Sequence, residues 1–91
     1  MGLESNRFSG EIPAEMGNMR DLTILNMDRN RLRGEIPQSF SQLSNLKFLN
    51  LVFNDGLFGR LPDALCQFNL VNLGVDCDNV DCPCCNSCNY Y

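Results

Sequence analysis

Asn6, Asn30 and Asn54 stand 24 residues apart (30 − 6 and 54 − 30), and the chain around them repeats with them. Leu22, Leu46 and Leu70 keep that interval, as do Leu25, Leu49 and Leu73. Gly10-Glu11-Ile12-Pro13 recurs as Gly34-Glu35-Ile36-Pro37 and as Gly59-Arg60-Leu61-Pro62. A unit this short cannot bury its own apolar face. It must stack on copies of itself, so the period dictates a solenoid.

Within one unit the leucine spacing sets the local structure. Side chains alternate across a strand, so leucines two apart point to one face. Strands are expected over residues 22–27 and 46–51, with a weaker one over 70–75. Short helical or 3₁₀ segments are expected over 14–19, 38–43 and 63–68, each entered through Pro13, Pro37 or Pro62, whose ring presets the first turn. The glycine before each Ile-Pro or Leu-Pro is expected at a backbone angle that other residues resist. Asn6, Asn30 and Asn54 should turn inward and pair with turn backbone, forming a hydrogen-bonded ladder between units. One extra residue near Asp55-Gly56 reads as a surface bulge.

The run Asn30-Arg31-Leu32-Arg33-Gly34-Glu35-Ile36-Pro37 follows leucines spaced L-x-x-L-x-L-x-x-N. It closely resembles the plant-type leucine-rich repeat of receptor-like kinases, receptor-like proteins and polygalacturonase inhibitors. The resemblance covers residues 1–75. It implies an α/β solenoid with parallel inner strands and short outer turns, and an extracellular recognition module often carried on a membrane receptor that signals. The cysteine-dense end is similar to the tail of leucine-rich-repeat proteins of diatoms and related algae. The chain divides into repeats over 1–76 and a cysteine-rich cap and tail over 77–91.

Charge narrows the partners. The net charge is −4 and histidine is absent. A nucleic-acid partner would need a basic face, so none is expected, and attraction to an anionic membrane is disfavoured. No apolar run reaches the ~18–20 residues of a membrane span. No cofactor, metal or catalytic residue is assigned, because a general base, a paired carboxylate site and a phosphate loop are all missing from the pattern. No signal peptide is legible. Met1 falls in the column of Leu25, inside a strand, so the chain reads as the C-terminal part of a longer solenoid. Upstream repeats and the leader would precede it. Met1, Leu3, Phe8, Ile12, Met16 and Met19 are then expected to face an open side.

Cys77, Cys82, Cys84, Cys85 and Cys88 fall within twelve residues, and Cys66 makes six cysteines. The even number and density favour disulfides and an oxidising compartment. Six cysteines allow 15 pairings, and the spacing does not select one. A bridge between adjacent Cys84 and Cys85 is the least favoured. The rival reading is zinc, since Cys82-x-x-Cys85 and Cys85-x-x-Cys88 have ligand-like spacing, although they share Cys85.

The inner face supplies the ligand candidates. Ile24, Phe48 and Asn72 form one outward column, and Asn26 and Asn50 a second. Asp28, Val52 and Asp76 form a third, with Glu4 before them. This reads as an acidic stripe beside an exposed Ile24–Phe48 pair, suited to a basic or amphipathic peptide. A protein or peptide ligand is expected, with a glycan as the alternative. Glu11, Glu35 and Arg60 mark a lateral face. The competing readings are a purely structural cap for upstream repeats and an intracellular zinc-capped scaffold.

Overall fold

The computed structural model describes residues 1–3 and 9–89. Two parallel four-stranded sheets run side by side through the stacked units. The first contains β2 (Ile24–Asn26), β4 (Phe48–Asn50), β6 (Asn72–Asp76) and β8 (Ser87–Asn89). Its strands are in register, so Leu25, Leu49 and Leu73 lie side by side. Gly2 extends it by a bridge to Asn26. The second sheet contains β1 (Ser9–Glu11), β3 (Arg31–Glu35), β5 (Gly56–Arg60) and β7 (Val80–Asp81). Sequence periodicity places the first sheet but gives no sign of the second.

Between the second sheet and the next inner strand lie the 3₁₀ turns Ala14–Asn18, Gln38–Gln42 and Asp63–Gln67. Pro13, Pro37 and Pro62 precede them in extended conformation. Their carbonyls accept the N–H of Met16, Phe40 and Leu65, each at 3.1 Å, closing the first turn. Gly10, Gly34 and Gly59 have φ of 87°, 85° and 90°, the left-handed region that only glycine enters cheaply.

The core fills the space between the sheets and the turns. Leu25, Leu49 and Leu51 are fully buried, as are Phe40, Leu43 and Leu46. Each such side chain contributes about 1.5–3 kcal/mol relative to exposure. Val75 and Val80 close the core toward the cysteine-rich end.

Several expectations need correction. Ile12 and Met16 are buried as members of the core cluster, while Met1 and Met19 are exposed and Leu3 is half-buried against that cluster. Phe8, Glu4 and Asn6 lie outside the described residues. Of Asp55-Gly56, Asp55 is the extra residue, exposed in the turn before β5, and only Gly56 departs from the expected bulge. Gly56 belongs to β5 and pairs with Arg33, where a Cβ would come within 2.9 Å of the Leu32 carbonyl oxygen. The third inner strand is not the weak one: β6 has five residues, against three each for β2 and β4. Within the cap-and-tail region, Ser87–Asn89 forms β8, which adds to the inner sheet beside β6.

Candidate recognition groove

The asparagine ladder sets the spacing of the inner face. Asn30 Nδ2 donates to the carbonyls of Leu3 and Met27, both at 2.9 Å. Asn54 Nδ2 repeats this one unit on, donating to Met27 and Leu51 at 3.0 Å. Each amide thus ties its own turn to the preceding unit. Asn54 Oδ1 also accepts the Leu32 N–H at 3.2 Å, linking the turn to β3.

On this frame β2, β4 and β6 bring Ile24, Asn26, Phe48, Asn50 and Asn72 together. With the floor residue Leu25 they line a shallow groove of about 250 Å³. Ile24 is 47% exposed and Phe48 40%. Asn50 Oδ1 accepts the Val52 N–H at 3.3 Å. Asn26, one unit earlier in the same column, has a buried Oδ1 with no donor.

The acidic stripe does not exist as an exposed feature. Asp28 is 3% exposed and Asp76 1%. Asp76 lies beside the cap strand, with Asn89 as its β8 partner. Its Oδ1 accepts the Phe53 N–H at 2.8 Å and Asn89 Nδ2 at 3.0 Å, and its Oδ2 accepts the Asn54 N–H at 2.8 Å. Asp28 Oδ2 pairs with the Arg29 guanidinium, while Oδ1 has no donor. Val52, between them in the column, is half-buried. Asp28, Val52 and Asp76 are therefore absent from the groove lining, and the groove among the described residues carries no charged side chain. Arg29 stacks on Phe53 instead, 4.8 Å from the ring centroid.

The lateral face holds Glu11, Glu35 and the exposed Phe58 around a second depression. Arg60 belongs to a separate surface network, donating to Asp63 Oδ1 at 3.1 Å and Asp81 Oδ2 at 2.6 Å. These bonds, to Asp63 first and Asp81 second, raise the Arg60 pKa above its ordinary value.

All six cysteines pair. Cys66 bonds Cys84, Cys77 bonds Cys88, and Cys82 bonds Cys85. No thiolate remains for zinc, so the zinc-capped reading is withdrawn. Cys66–Cys84 fastens the last 3₁₀ turn to the cap, and Cys77–Cys88 joins the end of β6 to β8. Sequence reasoning missed Asn86, which acts as a false strand. Its Oδ1 accepts the Leu73 N–H and its Nδ2 donates to the Val71 carbonyl, both at 2.9 Å. Its place among the cysteines gave no signal for this.

Comparison with known families decides the lineage. The model for the Leucine rich repeat matches residues 1–55. The chain belongs to the leucine-rich repeat family. A search of curated proteins finds no match. Leucine-rich repeat domains generally bind proteins, and the family is generally non-enzymatic. Three disulfides fit an oxidising, extracellular environment. Among the described residues no helix is long and apolar enough to cross a membrane.

Proposed function

We propose that this leucine-rich repeat chain is a recognition module of a secreted or cell-surface, receptor-like protein, and that it holds a protein or peptide ligand on its inner groove. The observation that carries this reading is the groove itself, with exposed Ile24 and Phe48 mounted on three paired strands. Exposed apolar anchors on a rigid sheet are what an interface hot spot needs. The plant-type G-x-I-P pattern supports a receptor-like parent, and the three disulfides support its location outside the cell.

The test is selection of a random phage-displayed peptide library on the full chain. Phe48→Ala should weaken the selected clones at least tenfold, while Phe58→Ala on the lateral face leaves them unchanged. Clones that depend on Phe58 would move the site to the lateral face.

A second reading treats the chain as the seal of a longer solenoid whose upstream repeats bind the ligand. The observation favouring it is an open apolar depression of about 290 Å³ between Leu3, Met16, Met27 and Leu32, shaped by the same columns that stack elsewhere. Repeated failure of the chain to select any peptide would favour this second reading.

A further inference from the structure

We propose that the inner groove takes an uncharged, extended peptide segment, which places one apolar side chain between Ile24 and Phe48 and donates one N–H to Asn26 Oδ1. This rests on the inner-groove reading above and adds the chemistry of the ligand.

Three observations carry it. First, among the described residues the groove lining is neutral: Ile24, Leu25, Asn26, Phe48, Asn50 and Asn72. Asp76 and Asp28 are buried outside the lining, Asp76 bound by Phe53, Asn54 and Asn89 and Asp28 by Arg29 through Oδ2, so no described residue of the lining attracts a basic peptide. Among nearby charges, Arg29 is engaged with Asp28 and the Phe53 ring, and Lys47 stands outside the lining. Second, Asn26 Oδ1 is shut off from water and has no donor. Buried carboxamide oxygens are almost always paired, and an orphan of this kind calls for an explanation. The equivalent oxygen of Asn50 is occupied by the Val52 N–H, so the vacancy is a property of Asn26 and not of the column. Third, Asn26 lines the groove while its orphan oxygen is buried. The terminal torsion of an asparagine is soft, so the carboxamide is free to turn toward a ligand donor in the groove. A peptide N–H beside the apolar anchor satisfies that oxygen without bringing in charge.

The experiment uses the peptides selected on the full chain, whose affinities are measured by titration calorimetry at 50 and 500 mM salt. The expected peptides are neutral, with one large aliphatic or aromatic residue, and their affinity changes less than twofold with salt. Asn26→Leu should weaken them about tenfold. A scan of N-methylated peptides provides a second route, whose first readout is on the native chain. Methylation at one position should weaken binding to the native chain about tenfold and have no further effect in Asn26→Leu. Selected peptides that are basic, or that lose tenfold in affinity with salt, would overturn the proposed chemistry and leave the groove standing. An N-methyl scan without a sensitive position would overturn the Asn26 assignment. Peptides indifferent to Phe48→Ala would remove both this inference and the reading beneath it. Selection of no peptide at all would do the same.

Discussion

Asp28 and Asp76 occupy the same position two units apart (76 − 28 = 48), and both are buried, yet their surroundings differ. Asp76 takes the N–H groups of Phe53 and Asn54 and the amide of Asn89. Phe53 is in the left-handed region, φ 59°, as is its counterpart Arg29 at 57°. Such a conformation is costly for a residue with a Cβ. At Phe53 the turn is held by the carboxylate of the following unit. At Arg29 the following unit offers Val52, whose side chain cannot accept, and the N–H goes to the Val52 carbonyl at 3.1 Å. One column position thus serves as a turn clamp in one unit and as plain packing in another. Position in a repeat sets direction, and the neighbouring unit sets the role.

The sharpest way to break the comparison is Asp76→Ala. It orphans two turn N–H groups, each costing about 1–3 kcal/mol, so a loss of roughly 3–4 kcal/mol is expected by chemical denaturation. A loss below about 1 kcal/mol would show that water reaches the turn and that the clamp is idle.

Next comes the cap beside Asp76. Replacing Cys66 and Cys84 together by serine removes a bridge of sequence separation 18, worth ~3 kcal/mol by chain entropy. Hydrogen exchange should rise in β6 and β8 and stay low in β2 and β4. A uniform rise would mean that the two ends unfold as one unit.

The smallest effect belongs to Asp28→Ala. One oxygen has no donor and the other pairs with an exposed arginine, so a change under about 1 kcal/mol is expected. A loss as large as that of Asp76→Ala would give Asp28 an equivalent clamp and erase the contrast.

The inner sheet was legible because Leu25, Leu49 and Leu73 recur in register. The 3₁₀ turns were legible because proline leaves little choice of backbone. The second sheet was not: burial alternates along Arg31–Glu35, but its second inward position is Gly34, which has no apolar side chain to mark it. The burial of Asp76 was hidden for another reason. Alternation says which way a side chain points, while β8, which pairs beside it, is encoded in a cysteine-rich stretch without the leucine period. Of the groove, the five members Ile24, Asn26, Phe48, Asn50 and Asn72 were readable from their columns. The floor at Leu25 and the orphan oxygen of Asn26 depend on packing and were not.

The in-register strands have a metric consequence. Each 24-residue step along the chain advances the inner surface by a single strand spacing, about 4.8 Å. An extended peptide lying across those strands presents side chains to one face every 6.6–6.8 Å or so. The two rulers fall out of step within two units. Longer stacks therefore cannot tighten such a ligand by repeating one anchor, and a single well-formed notch must set its place.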